Sequence, residues 1–406
     1  MDAKEDGAFR PGPGDISMVA TGDSLLTQRL RPYVEPEYLG LLELIRSADV
    51  RLTNLETLFN GCSGYPAAES GGTWVSAEPS LSEELKWLGF NLFACANNHS
   101  MDWSSGGLLA HLRTLDRAGL VWAGIGKDAG RAREPAYLEL GAGRIGLVSL
   151  TTTIANAGRA GEPRPDCQGR PGANTLRNAA TYRPAADADG GVGRRVVVSQ
   201  YHQPDADRIL AAIRDARRQA GWVLCSMHTH EGLPGEPEKP LPFQRHFAHA
   251  AVDAGADAVV CHGPHVVRGV ELYGGKPIFH GLGNFIFQNE TVKRQPADFY
   301  EQFGLGPEAT PADAFDARDA DPRRSFTGNP AYWESVVAWW RYAGSRLAEV
   351  KLYPITLGFG LPRAVRGRPL LASGEQAQRI IARVAELSQA FDVQIRAEDG
   401  VGVVQV

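Results

Sequence analysis

Apolar residues recur along this chain in two rhythms. The first is a set of short, nearly continuous runs: ISMVAT (16–21), ADVRLTNL (48–55), FNLFACA (90–96), RIGLVSL (144–150), RRVVVSQ (194–200), GWVLCSM (221–227), ADAVVC (256–261) and KPIFHGL (276–282). They are rich in Val, Ile and Leu and bounded by Gly, Asp or Asn, which predicts buried strands. The second rhythm is helical. Leu108, Leu109, Leu112 and Leu115 follow Ser104 and Ser105 on one face. Ile209, Leu210 and Ile213 mark a helix over 205–220, and Phe243, Phe247, Ala250, Ala251 and Ala254 mark another before ADAVVC. Ser373 and Gln376 have capping-box spacing ahead of Ile380, Ile381, Val384, Leu387 and Phe391. Strands alternating with helices predict an α/β layered fold.

Two stretches break this rhythm. Residues 156–193 are rich in Gly, Pro, Ala and Arg, and residues 289–330 in Asp, Ala and Pro. Both are expected as long irregular insertions. No internal repeat and no linker between independent domains is visible. The expected organisation is a disordered tail over 1–14 and one domain over 15–406. Its core motifs lie in 15–290, and a strand and helix extension occupies 331–406.

The residues that follow the runs carry the chemistry. ISMVAT leads into Gly22 and Asp23, the next run into Asn54 and Glu56, and FNLFACA into Asn98 and His99. GWVLCSM leads into His228 and His230, ADAVVC into His262 and His265 across a Gly-Pro turn, and KPIFHGL into Asn284. Ligands of α/β sheets bind beyond the carboxyl ends of the strands. Asp, Glu, Asn and His are the side chains that hold hard or borderline divalent metals. Unpaired polar groups at buried strand ends are costly, so this recurrence points to a metal centre.

Composition narrows the classes. The chain has 406 residues, 43% hydrophobic and 22% charged, with a formal net charge of -5. This suits a globular protein and gives no basic footprint for nucleic acid. The N-terminus has no apolar h-region and no run is long enough to span a membrane, so neither a secretory signal nor a membrane span is expected. The five cysteines are odd in number, widely spaced and without a CxxC pair. A reduced, cytoplasmic setting is the expectation. Gly124-Ile125-Gly126 lacks the further glycine and acidic partner of a dinucleotide loop. There is neither a P-loop nor a G-x-S-x-G elbow.

GDSLL (22–26), ADVRLTNLET (48–57), FACANNHSMD (93–102), AGIGKDAGRAREP (123–135) and AHAAVDAGADAVVCHGPHVVRGVELYGGKPIFHGLGNFIF (248–287) resemble the CapA family of poly-γ-glutamate capsule biosynthesis proteins. The domain of that family is similar to the calcineurin-like metallophosphoesterases. The resemblance covers about residues 15–290. It implies a four-layer α/β/β/α sandwich with long loop insertions around a two-metal site. In that carry-over Asp23 is the first-motif aspartate and Glu56 stands where the bridging carboxylate lies, with Asn54 beside it. Asn98 matches the metal-binding asparagine and His99 the catalytic histidine. His228 matches the fourth-motif histidine, and His262 and His265 the final pair. This sequence departs from the pattern in three places: no histidine follows Asp23, Glu56 replaces an aspartate, and the last pair is His-x-x-His. His230 is either a substitute ligand or an exposed residue facing the substrate.

The implied cofactors are two divalent ions, Mn, Fe or Zn. The implied reaction is attack of an activated water on an amide (γ-glutamyl or related peptide) or a phosphoester, with His99 as proton donor. The partner expected is an anionic small molecule or a peptide-like substrate, contacted by Asn54, His230, Arg268 and Asn284. Two other readings stay open: a non-catalytic component of poly-γ-glutamate or capsule polymer synthesis, and a metal-stabilised protein that binds an anionic ligand. His111 and His202 are expected on the surface. Trp333, Trp339 and Trp340 are expected to pack in a core or lid.

Overall fold

The structure is a computed structural model that describes residues 14–184, 195–321 and 325–406. The expected tail over 1–14 lies, but for Gly14, outside the described residues. Two large sheets dominate. The first runs in the order Ile395–Glu398, Val401–Val404, Arg346–Thr356, Glu334–Ala343, Ile16–Leu25, Val50–Leu55, Leu92–Ala94, Trp122–Ala123. Asn284–Phe287 pairs in parallel with the end of Ile16–Leu25. The second sheet runs Val270–Tyr273, Lys276–Phe279, Ala258–His262, Trp222–His228, Gly143–Thr151, Ala136–Leu140. The central strands of both sheets are parallel. Helices Pro36–Arg46, Ser104–Arg117, Gln203–Gln219 and Pro242–Asp253 lie between them in sequence.

Side-chain alternation sorts each strand between two cores. Met18, Ala20, Leu52 and Leu92 of the first sheet share one buried cluster with Leu147, Leu224, Ala258 and Val260 of the second. Their neighbours Val19 and Phe93 pack instead on Tyr38, Leu41, Ile45, Leu108 and Leu115. Val223, Cys225 and Val259 pack on Ile209, Ile213, Phe247 and Ala251. Strands buried on both faces read as continuous apolar runs rather than alternating ones. Each fully buried Leu, Ile, Val or Phe contributes about 1.5–3 kcal/mol. The five cysteines are unpaired, and three of them lie in these cores. Trp340 lies between the sheets and Trp333 in a smaller cluster with Phe287, while Trp339 is half-buried. Among the described residues no helix is long and apolar enough to cross a membrane.

Several expectations change. The 194–200 run joins neither large sheet. It forms a hairpin, Arg195–Tyr201 against Asn178–Pro184. Only one face of it packs: Tyr201 meets Phe247, while Val198 is 46% exposed. The 289–330 stretch is not irregular throughout. It contains helices Ala297–Glu301 and Pro311–Ala320, the latter capped by Thr310 and Asp313. Phe299, Ala314 and Phe315 bury against Leu58, Trp74 and Trp103. Helix Gly374–Ser388 forms, but the Ser373 side chain makes no capping bond, and Gln376 donates to Thr356 Oγ1 at 3.2 Å instead. His111 is buried, with Nδ1 accepting the Phe59 N–H at 2.9 Å, and burial pushes its pKa down to about 3. A helical leucine stripe can carry a histidine inward when a backbone donor meets it.

Glu271 is a structural keystone on the far side of the second sheet. It accepts from Arg245 at 2.8 Å, His249 Nε2 at 2.7 Å and His280 Nε2 at 2.9 Å. Burial raises its pKa, but the hydrogen bonds from His280, Arg245 and His249 outweigh that and bring it down to about 2. A carboxylate depressed in the folded state stabilises the fold above its unfolded value and loses that contribution as pH falls through the folded one. Glu271→Gln is therefore expected to cost up to ~3 kcal/mol at neutral pH, from the size of the shift. It should also flatten the loss of stability between about pH 4.5 and pH 2. Denaturant titrations at a series of pH values would read both effects. A variant as stable as the native chain would show that Glu271 holds nothing.

Candidate metal centre

The parallel registers bring the polar strand ends together. Asp23 lies beside Asn54 on one side and Asn284 on the other, and His228 lies beside His262. Asp23 sits at a register shift in its strand, where the backbone passes close to Gly283. Its N–H donates to Gly283 O at 3.1 Å. A Cβ on Gly22 would fall 1.9 Å from that same oxygen. Only glycine fits there, so the close crossing sets where Asp23 points. Gly22→Ala is expected to cost more than about 2 kcal/mol, the range of severe backbone clashes. Thermal unfolding and metal titration would test it, and an alanine variant with native stability would remove this account.

Asp23 is fully buried. Its Oδ1 accepts from Asn54 Nδ2 at 2.8 Å and its Oδ2 from Gly263 N–H at 3.0 Å. His265 Nδ1 lies 3.4 Å from Oδ2 and His228 Nδ1 3.9 Å from Oδ1. Burial alone would raise its pKa, but the hydrogen bond from His265 and the charges of His265, His228 and His262 hold it well below the usual carboxylate range.

Glu56 is the least satisfied group. Its backbone N–H donates to Ser24 O at 3.1 Å, but both carboxylate oxygens are buried with no hydrogen-bond partner. His228 Nε2 is 3.7 Å and His99 Nε2 3.9 Å from Oε1. Burial raises the Glu56 pKa well above its ordinary value, and Asp23 and Asp102 add to the rise. A buried carboxylate without a donor costs several kcal/mol unless something cationic meets it. Asn54 Oδ1 and Asn98 Oδ1 are likewise buried and unpartnered.

Two trios of donors share this glutamate: Glu56 with His228 and His230, and Glu56 with Asp23 and His265. Within each trio the ligand atoms lie within 4.8 Å of one another. Carboxylate oxygen with imidazole nitrogen suits a borderline divalent ion. The orphaned oxygens of Glu56 fit such a cation, because nothing among the described residues satisfies them. Burial keeps the His228 ring neutral, with its pKa pushed down to about 3, and drives that of His230 well below the ordinary value. Neutral imidazole is the ligating form.

The two histidines of HGPH part company. His262 ends its strand on the face between the sheets. Its Nε2 donates to Thr21 O at 3.1 Å, and its Nδ1 meets Ser226 Oγ at 3.2 Å. Both ring nitrogens are engaged, and His262 joins neither trio. His230, expected either as a substitute ligand or as an exposed residue facing the substrate, stands in one trio with Glu56 and His228. After the turn, Gly263 (φ +105°) and His265 (φ +58°) adopt left-handed backbone. That swing sets His265 Nδ1 against Asn284 Oδ1 at 2.8 Å and close to Asp23. A left-handed non-glycine residue costs about 1–3 kcal/mol and persists where its surroundings fix it.

Asn54 and Asn284 thus hydrogen-bond to Asp23 and His265, members of the second trio. Arg268, expected to meet an anionic substrate, is buried. Its guanidinium donates to Pro237 O at 2.9 Å, Glu231 O at 2.8 Å and Gln244 Oε1 at 3.3 Å. It holds the chain beyond His230. His99 donates from Nδ1 to Asp102 Oδ2 at 2.7 Å, which leaves Nε2 directed at Glu56. Asp102 also accepts from Val75 N–H at 2.8 Å. It stands three residues after His99 in the run ANNHSMD, and that spacing was its only signal in the sequence. Beside Asn98 and His230 opens a cavity of about 910 Å³, lined also by Gly71, Thr152, Thr153 and Glu231.

Fold and centre together define a mixed α/β protein with a buried carboxylate-histidine cluster at its strand ends. Residues 17–289 match the family of bacterial capsule synthesis proteins PGA_cap, and the chain belongs to that family. It is 34% identical over 434 aligned positions to an uncharacterized protein of Sinorhizobium fredii, covering 96% of this chain and 93% of that one. It is 25% identical over 321 positions to the PGA biosynthesis protein CapA of Bacillus subtilis, covering 77% and 73%. A probable polyglutamine synthesis accessory protein of Mycobacterium tuberculosis is 28% identical over 259 positions, covering 63% and 60%.

Proposed function

We propose that this protein is a hydrolase dependent on two divalent metal ions, acting on an amide of the γ-glutamyl type in polyglutamate or capsule polymer metabolism. The observation that carries the reading is Glu56, shared by two donor trios with both oxygens buried and unmatched. The names of the Bacillus and Mycobacterium relatives support the polymer context. Helices on the outer faces of the two sheets support the four-layer arrangement of the metallophosphoesterases.

In this reading Asp23, Glu56 and His265 would hold one ion and Glu56, His228 and His230 the other, with Asn98 Oδ1 in reserve. The ions supply Lewis-acid polarisation and an activated water. The side chains do the rest. His99, held by Asp102, presents Nε2 to the centre and gives its proton to the departing nitrogen. Water adds to the carbonyl carbon, the C–N bond breaks, and a carboxylate and an amine leave. Of the water's two protons, one restores His99 and the other leaves on the amine as an ammonium. Burial of the cluster excludes bulk water and strengthens each charge interaction.

Elemental mass spectrometry on untagged protein tests the centre. About two equivalents of Mn, Fe or Zn are expected in the native chain, falling in His265→Ala. Turnover of γ-glutamyl-p-nitroanilide, against phosphomonoester and phosphodiester panels, tests the bond class. Turnover of the phosphoesters alone would overturn the amide assignment. A chain that takes up no metal after loading would sink the hydrolase reading.

A further inference from the structure

A second cavity, of about 230 Å³, opens on the other flank of the centre. It is lined by His99 and His265, by Gly71, and by Arg318, Phe326 and Gln302. Gly71 lines both cavities, and a Cβ there would fall 2.0 Å from Asn98 Nδ2 and 2.9 Å from His99 Cε1. The two cavities thus share Gly71 as a wall, beside Asn98 and His99.

Arg318 comes from helix Pro311–Ala320, inside the stretch expected to be irregular. It is 4% exposed. The guanidinium lies over the rings of Phe315 and Phe326, each centroid 5.0 Å away. Nη1 donates to Thr73 Oγ1 at 3.3 Å. Nε and Nη2 are buried and have no hydrogen-bond partner among the described residues. Nε forms an ion pair with Asp319 Oδ1 at 3.6 Å, too long for a hydrogen bond, so among the described residues Nη2 is the donor with neither kind of partner. Buried guanidinium donors left unmatched are expensive, and the group is a planar fork that fits a carboxylate. No Asp or Glu lines this cavity, and none of the residues around the larger cavity is Lys or Arg.

We infer that Arg318 forms an anion subsite that receives a carboxylate of the substrate, on the His99 and His265 side of the scissile bond. The inference rests on the hydrolase reading for its place in a reaction, but the binding site stands on its own geometry. A γ-glutamyl amide carries its free α-carboxylate a few bonds from the scissile carbonyl. The carboxylate then sits on Arg318 in the small cavity, and the remainder extends into the larger one, whose charged lining residues are Glu69 and Glu231. Specificity follows from the same group, because an uncharged analogue leaves Nη2 buried and unmatched.

The test is calorimetric titration of the full chain with N5-ethyl-L-glutamine, which has a free α-carboxylate and a γ-amide, and separately with inorganic phosphate. The native chain is expected to bind the glutamine derivative. Arg318→Gln should weaken that binding roughly 10- to 100-fold, the worth of a charge-assisted hydrogen-bonded pair. Arg318→Lys should recover part of the loss. Gln302→Glu places a carboxylate on the wall from an exposed position and should weaken binding with Arg318 intact. It decides the matter if Arg318→Gln fails to fold. Equal binding by native chain and folded variants overturns the subsite, as does a native chain that binds neither probe. Binding of phosphate alone overturns the carboxylate assignment. Metal content, measured in parallel, should stay native in every variant. Its absence from the native chain would sink the hydrolase reading while the titration still reports on Arg318.

Discussion

Glu56→Gln is expected to raise the stability of the metal-free protein and abolish its uptake of divalent ions. The two effects have one cause. Both oxygens of Glu56 are buried without a donor, and burial, then Asp23 and Asp102, raise its pKa well above the ordinary value. An acid whose folded pKa is raised favours the fold below its unfolded value, near 4.5, and loses that advantage as pH rises. The metal-free native chain should therefore weaken as pH climbs above about 4.5, whereas glutamine has no proton to lose and removes the slope. Added Mn or Zn reverses the ranking. A cation that binds only the folded state at 100 times its dissociation constant adds about 2.7 kcal/mol, and this gain belongs to the native chain alone. Thermal unfolding with and without metal should show the two melting curves exchanging order. A Gln variant that is less stable without metal, beside a native chain that gains nothing from metal, would mean that Glu56 holds a protein partner and no cation.

How far the sequence reaches is clear from individual residues. The strand ends were legible because parallel strands buried on both faces read as apolar runs, and whatever follows such a run lies at the carboxyl edge. Asp23, Glu56 and His228 fall there by that rule alone. The fate of His262 was not legible. Alternation puts it on the same face as Ala258 and Val260, toward the other sheet. Whether its ring meets a metal or the Thr21 carbonyl depends on how closely the sheets approach, and no spacing encodes that. Arg268 reads as a solvent-seeking charge until packing delivers two backbone carbonyls to it. Arg318 was hidden for the opposite reason. An Asp-, Ala- and Pro-rich stretch looks like loose surface, and only the burial of Phe299 and Phe315 draws the helix of Arg318 inward. The hairpin of 195–201 shows the limit of apolar runs themselves: three valines in a row describe a strand but not the sheet it joins.

His99→Ala is expected to leave the metal content native and to lower kcat for γ-glutamyl-p-nitroanilide by about 10²- to 10⁴-fold, the usual worth of a placed proton donor. His99 belongs to neither donor trio, and its Nδ1 is already committed to Asp102, so its removal takes no ligand away. What disappears is the proton at Nε2. An amine leaves poorly without one, whereas a p-nitrophenolate leaves well. The loss should therefore be far smaller for a γ-glutamyl p-nitrophenyl ester than for the anilide. Asp102→Asn should fall between native and His99→Ala on the anilide, because the ring stays but loses the carboxylate that fixes its tautomer and orientation. The ratio of anilide to ester turnover separates this role from a structural one: misfolding would depress both substrates together, and a lost acid depresses one. Equal losses on both substrates, with metal content intact, would place His99 in orienting the substrate instead and leave the leaving group to take its proton from water.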